Sequence, residues 1–236
     1  MTLYDATQFV GKPGSNGAAG SGCIPGAVKL EIAKPRDNYR HDGSGDTLIH
    51  VEPGKDAHFG TKAELKAAKV TLSALSDKAA REHPTCKQWW YCPPLLRWEW
   101  MAAANGDKAA QAKIKAWRSS IYDLTIDGIP GPRVHGVCID LYDFSYLAPV
   151  WKARVAENIK PWLGARRPVL PILNLRWVDT GRHYTEKEAS ERITFAANLC
   201  GGRCAIYDDA ADVVGNSETY TDWPLRAVVE SIARGN

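Results

Sequence analysis

The sequence predicts one α/β domain over residues 1–236, a (β/α) barrel of the TIM type with eight regular units or fewer. From residue 47 onward, short apolar runs alternate with segments whose apolar residues recur at helical spacing. Five such units follow one another, and successive crossover helices favour a parallel sheet. A length of 236 residues is also typical of α/β barrels that fold as one domain. An open, doubly wound sheet is the alternative arrangement of the same elements.

The first 46 residues give weaker signals. Short strands are predicted at 3–10 and 28–32. Between them, residues 11–26 (GKPGSNGAAGSGCIPG) are rich in glycine, proline and serine, which predicts a loop or a flexible arm.

The repeating part begins at residue 47. Its predicted strands are 47–51, 88–92, 134–142, 168–175 and 203–207. Helical stripes follow these strands, the first of them formed by Leu65, Ala68, Leu72, Leu75 and Ala79. A proline at 171 is expected to lie at a bulge or an edge, because it cannot donate to a ladder. Thr185 and Glu188 have the spacing of a capping box at the start of the fourth helix.

Composition excludes several classes of protein. The net charge is +3 and the basic residues are scattered among acids, so we expect no nucleic-acid partner. No apolar run approaches the ~18 residues of a membrane span, so no membrane partner is expected. The N-terminus lacks a basic leader with an apolar core, which predicts synthesis in the cytoplasm without a signal peptide.

No cofactor or metal is predicted. Cys200 and Cys204 are separated by three residues and Cys86 and Cys92 by five, unlike the two-residue gaps of zinc knuckles. Local disulfides or buried thiols are the two alternatives for these cysteines. Phosphate-binding glycine motifs and the Gly-x-Ser-x-Gly elbow of serine hydrolases are missing from the sequence. A magnesium site at three aspartates, Asp140, Asp143 and Asp208, is only weakly indicated.

The most informative stretch is residues 134–144, VHGVCIDLYDF. Strand side chains alternate, so three apolar residues, Val137, Ile139 and Leu141, share one face. That face is expected to pack beneath the helices. Asp140 and Tyr142 would then point into the barrel near the carboxyl end of their strand, where barrels place their active sites.

The same alternation predicts inward polar groups at the ends of three other strands: Glu52, Asn174 and, on the last strand, either Asp208 or Asp209, of which Asp208 is taken as the candidate. A single carboxylate at a strand end is most often a helix cap or a loop anchor, but several together favour function, because burying them near one another is costly. Paired carboxyls are the apparatus of glycoside hydrolysis. Asp140 with Glu52 or Asp208 is therefore the predicted catalytic set, and Glu99 is a further candidate.

Aromatic residues supply the predicted sugar cleft. The chain has nine tryptophans, and core packing is the simplest explanation for most of them. A platform for sugar rings is the alternative. The predicted substrate-binding residues are Trp89, Trp90, Tyr91, Tyr142, Asn174 and Tyr207.

Residues 134–234 resemble the later half of a glycosidase-type barrel, broadly of the hyaluronidase and chitinase kind. The resemblance lies in GVCIDLYD, in the strand at 168–175 leading into a capped helix, and in the closing AIYDD. It implies a (β/α) barrel that cleaves polysaccharide. The chitinase-type run of acids and the adjacent Asp-Glu pair of hyaluronidases are missing, so the resemblance assigns no catalytic residue.

Two functions remain open from the sequence. The first is a glycoside hydrolase that uses paired carboxylates on a carbohydrate substrate. The second is a non-catalytic barrel that binds protein partners as a structural or binding module of a larger assembly, such as a phage virion or tail. The glycine-rich arm, the surplus cysteines and the missing family acids favour the second.

Overall fold

The computed structural model describes residues 1–7, 24–33, 45–51, 62–92, 102, 106–141, 144–160, 167–208 and 220–235. Its strands are β1 (Thr2–Asp5), β2 (Val28–Ala33), β3 (Asp46–Ile49), β4 (Gln88–Cys92), β5 (Thr125–Ile126), β6 (Ile129–Pro130), β7 (Gly136–Asp140), β8 (Val169–Asn174) and β9 (Arg203–Tyr207). Its α-helices are α1 (Lys62–Glu82), α2 (Lys108–Tyr122), α3 (Trp151–Ile159), α4 (Glu186–Leu199) and α5 (Arg226–Arg234). A 3₁₀ helix, Ser145–Val150, precedes α3. No helix within these ranges is long and apolar enough to cross a membrane.

Seven parallel strands close into a barrel. Their order is β1-β2-β3-β4-β7-β8-β9, and β1 pairs with β9 to complete the ring. The closing ladder runs from the Thr2 and Arg203 pair to the Asp5 and Ile206 pair. This pairing confirms the predicted barrel with fewer than eight units, and it excludes the open sheet, in which the first and last strands would lie apart.

Side chains from the strands form two apolar layers. The inner layer fills the barrel and comprises Tyr4, Ala6, Leu30, Ile32, Leu48, Trp89, Tyr91, Cys138, Leu170, Ile172 and Ala205. The outer layer packs against the helices, and it includes Val137, Ile139 and Leu141. The predicted face of β7 is therefore confirmed, because its aliphatic residues lie under the helices.

Glycine at the start of β7 makes room for a tryptophan inside the barrel. A Cβ on Gly136 would lie 2.7 Å from the indole atom Cζ3 of Trp89 and 2.3 Å from the carbonyl oxygen of Pro168. Both distances are shorter than van der Waals contact, and the carbonyl belongs to the neighbouring backbone. Trp89, which is completely buried, therefore needs glycine as its partner across the ladder.

A buried arginine on α4 contacts three aromatic rings of neighbouring elements. The guanidinium carbon of Arg192 lies 4.3 Å from the ring centroid of Trp151, 4.5 Å from that of Trp177 and 4.6 Å from that of Tyr184. Cation–π attraction of this kind strengthens when the cation is desolvated. The start of α4 also has the predicted capping box, in which Thr185 and the Glu188 side chain exchange hydrogen bonds with each other's backbone.

Two local features differ from the sequence expectation. Strand β8 has neighbours on both sides, so Pro171 is not on an edge. The first residue pair between β8 and β9 is Ile172 with Ala205, and Pro171 precedes it. The N–H that proline lacks is therefore not needed for that ladder. The β5–β6 hairpin was not predicted, although its turn, Asp127-Gly128 with positive φ at both residues, is a known hairpin signal.

Four cysteines of the described ranges are free thiols. Cys86, Cys138, Cys200 and Cys204 form no disulfide, so neither of the two local disulfides that the sequence allows is present. Burial raises the pKa of Cys200 to about 12 and also raises that of Cys204. These two groups therefore stay protonated and unreactive at neutral pH.

We predict that Gly136→Ala destabilises the fold by about 2–3 kcal/mol, because the added methyl overpacks the barrel against Trp89 and the neighbouring backbone. Urea denaturation followed by circular dichroism measures the change. Gly128→Ala is the matched control: its Cβ meets nothing within 4 Å, and only its φ of 80° opposes alanine. That strain costs about 1 kcal/mol. An equal loss in the two variants would contradict the collision at Gly136.

Candidate functional site

A carboxylate, a phenol and an imidazole meet at the carboxyl ends of three strands. The Tyr91 hydroxyl on β4 donates a 2.7 Å hydrogen bond to Oδ2 of Asp140 on β7. The ring of His50, which follows β3, lies 4.4 Å from the Tyr91 ring between centroids. Tyr91 and Asp140 are 8% and 7% exposed, so the pair lies just inside the barrel opening.

Two further polar side chains lie at the same end of the barrel. Asn174 on β8 and Tyr207 on β9 are paired in register. Both are half-buried, and the Asn174 carbonyl Oδ1 accepts a 3.2 Å bond from the backbone N–H of Arg176. We call His50, Tyr91, Asp140, Asn174 and Tyr207 the barrel mouth. It combines one carboxylate with hydroxyl, amide and imidazole groups.

Asp208 is completely buried but belongs to a different environment. Its Oδ1 accepts a 2.5 Å bond from Nε of Arg176, and its Oδ2 accepts a 2.8 Å bond from the Trp223 indole. His183 Nδ1 lies 3.4 Å from the same Oδ2. Burial raises the pKa of Asp208, while Arg176, His183 and Trp223 pull it back down.

Asp208 directly follows the last residue of β9. One of its partners, Trp223, is part of the outer layer, whereas the other, Arg176, follows β8 two residues after Asn174. Strand alternation in the sequence predicts Asp208 in the barrel interior beside Asp140. In the structure both carboxylate oxygens of Asp208 already have partners, the Arg176 guanidinium and the Trp223 indole.

The two predicted tryptophans of the sugar cleft lie in different places. Trp89 is in the inner layer, toward the opposite end of the barrel from Asp140. Trp90 packs in the outer layer, where its indole donates a 3.0 Å bond to the Val51 carbonyl. Neither ring therefore faces the barrel mouth.

Three contributors to these sites are not among the candidates that the sequence predicts. One is His50, although a histidine at the end of a barrel strand is itself a signal for chemistry. Trp223 and His183 gave no local signal, because their contacts with Asp208 join residues 15 and 25 positions apart in the chain. Alternation along single strands does not reveal such partners.

No group of three or more His, Cys, Asp or Glu side chains that could hold a metal ion occurs in the described ranges. Asp143, one of the three aspartates of the magnesium hypothesis, lies outside those ranges. The predicted site residues Glu52, Glu99 and Tyr142 also lie outside them.

Comparison with known proteins gives a likeness of fold at low identity. No protein-family profile and no curated protein matches the chain. Among solved structures, bee venom hyaluronidase matches with a TM-score of 0.42 and 12% identity over 73% of this chain and 52% of the hyaluronidase. The same enzyme in complex with a hyaluronic acid tetramer gives 0.47 and 11%, over 81% and 67%. The chain thus spans about half the length of the first of these structures.

We predict that Asp208→Asn lowers the free energy of unfolding by about 3–5 kcal/mol, because it leaves the Arg176 guanidinium buried without its counter-charge. Thermal and urea denaturation measure the loss. Glu230→Gln is the control, since Glu230 also bonds two arginines, Arg226 and Arg234, whose side chains are 44% and 52% exposed. We expect little change there. A stable Asp208→Asn protein would show that the ion pair contributes little.

Proposed function

We propose that this barrel hydrolyses glycosidic bonds of a polysaccharide and that Asp140 is its ionised catalytic carboxylate. The hydrogen bond from Tyr91 to Asp140 is the observation that supports this most directly. Donation to a carboxylate stabilises its negative charge. A buried carboxylate at the carboxyl end of a barrel strand is suited to attack an anomeric carbon or to activate water.

Hydrolysis also needs a proton donor for the leaving oxygen. Asp208 is poorly suited, because its two oxygens already accept hydrogen bonds from Arg176 and Trp223. We assign this role to Glu52, two residues after His50 in the sequence. The assignment rests on chain position. Glu52 follows β3 in the sequence, and β3 pairs with β4, the strand of Tyr91.

The remaining mouth residues have the chemistry that sugar recognition requires. Asn174 offers amide donors to hydroxyl groups, and Tyr207 offers an aromatic face to the apolar C–H surface of a sugar ring. Both are half-buried, so a ligand at the opening could reach them. Trp89 and Trp90 are not included, because neither lies at this opening.

Carbohydrate binding without cleavage is the second candidate. It is favoured by the ion pair of Asp208, because one of the three predicted acids already has a cationic partner. In that case the barrel would serve as a binding or structural module of a larger assembly, and Asp140 would accept hydrogen bonds from sugar hydroxyls.

The test is reducing-sugar release from a panel of neutral, amino-sugar and uronic-acid polysaccharides. We predict that Asp140→Asn lowers turnover by about 10²–10⁴-fold, the usual effect of removing an acid–base group. Tyr91→Phe should lower it by about 10-fold or more, because it removes one hydrogen bond to a charged group. Glu52→Gln tests the proton donor.

Asp107→Asn is the matched control. Asp107 caps α2 by accepting bonds from the backbone N–H groups of Ala109 and Ala110, and asparagine caps equally well. We expect its turnover to equal that of the wild type. Binding of a glycan without hydrolysis by any of the proteins would favour the second candidate, and full activity of Asp140→Asn would overturn the first.

A further inference from the structure

A cavity of about 310 Å³ opens at the other end of the barrel, where the strands begin. Its wall is formed by the first residues of β1, β2, β3 and β9 and by residues at the start of β4 and β7. The lining residues are Thr2, Tyr4, Val28, Asp46, Lys87, Trp89, His135, Gly201, Gly202 and Arg203. In barrels this end usually serves stability, and an open polar cavity here is separate from the chemistry of the mouth.

The inner part of the cavity has one carboxylate set among aromatic rings. Asp46 is 9% exposed, and its Oδ2 accepts a 3.3 Å bond from the Trp89 indole. Its Oδ1 accepts a 2.9 Å bond from the backbone N–H of Lys87. The ring of Tyr4 meets that of Trp89 edge to face, with centroids 5.9 Å apart. Both donors to Asp46 are neutral, so its negative charge is not cancelled by an ion pair with them.

The outer part of the cavity is cationic. The side chains of Lys87 and Arg203 form no ion pair within the described part of the chain. His135, whose ring lies 4.9 Å from that of Trp89, is exposed between them and the interior. Burial lowers the pKa of His135, and the charges of Lys87, Arg203 and Arg167 lower it further, against an opposing effect of Asp46. The positive charges of Lys87 and Arg203 therefore both reach His135 at the wall of this cavity.

We propose that this cavity binds a small sugar phosphate, with the phosphate between Lys87 and Arg203 and the sugar hydroxyls directed to Asp46. Arginine and lysine are the usual phosphate-binding side chains. A carboxylate accepts hydrogen bonds from hydroxyl groups, which gives the sugar a partner beside the phosphate. A cavity of this volume lies at the small end of ligand sites and suits a single sugar ring. The proposal does not depend on Asp140 or on hydrolysis.

Isothermal titration calorimetry with glucose 6-phosphate, inorganic phosphate and glucose tests the proposal on the full chain. We expect saturable binding of glucose 6-phosphate, at least about tenfold tighter than that of either fragment, since charge-assisted bonds to the phosphate and hydrogen bonds from the sugar hydroxyls act together. The double variant Lys87→Gln/Arg203→Gln should weaken it about tenfold or more. Lys115→Gln/Arg182→Gln, which removes the same charges from exposed positions outside the cavity lining, should bind like the wild type.

The pKa of His135 provides a second readout, which responds to a phosphate bound beside this ring. A bound phosphate offsets the positive charges of Lys87 and Arg203, so glucose 6-phosphate should raise the pKa of His135. NMR titration measures this pKa, and the His135→Ala variant assigns the signal. Asp46→Asn should abolish the preference for glucose 6-phosphate over inorganic phosphate.

Three results would overturn the proposal. One is no saturable binding to the wild type. Another is equal affinity for glucose 6-phosphate and inorganic phosphate, which would indicate an anion site without a sugar subsite. The third is an equal loss of binding in the two double variants.

Discussion

The barrel depends on the ladder between its first and last strands, because only that ladder closes the ring. A seven-stranded ring encloses less space than an eight-stranded one, whose interior is already just filled by side chains. Three large rings nevertheless lie inside, and each is paired in register with a small residue. Trp89 lies opposite Gly136, Tyr91 opposite Cys138, and Tyr4 opposite Ala205. Closure of the ring therefore fixes which positions must be small.

The filled interior separates the two ends of the barrel into different chemical environments. Strand β4 supplies a ring to each end, and each ring donates to a buried carboxylate. The Tyr91 hydroxyl bonds Asp140 at the mouth, and the Trp89 indole bonds Asp46 in the opposite cavity. Alternate residues of one strand point inward about 6–7 Å apart, so the two donors lie at different levels of the barrel. The mouth has polar neighbours around its carboxylate, while the cavity has a cationic rim.

Two buried charges have structural partners. Asp208 pairs with Arg176, and Arg192 is enclosed by three aromatic rings beside α4. Removing one member of a buried ion pair is costly, so these contacts constrain the packing around them. A carboxylate at the end of a strand is thus not evidence of catalysis until its partners are known.

Much of the fold follows from the sequence, because periodicity reports which face of a strand or helix is buried. It predicted the seven strands of the barrel, the outward face of Val137, Ile139 and Leu141, and the capping box at Thr185. Only the tertiary structure decided which side chains meet. Tyr91 and Asp140 are 49 residues apart, and Arg176 and Asp208 are 32 apart. Local spacing determines direction within one element, whereas contact between elements depends on the register and closure of the whole ring.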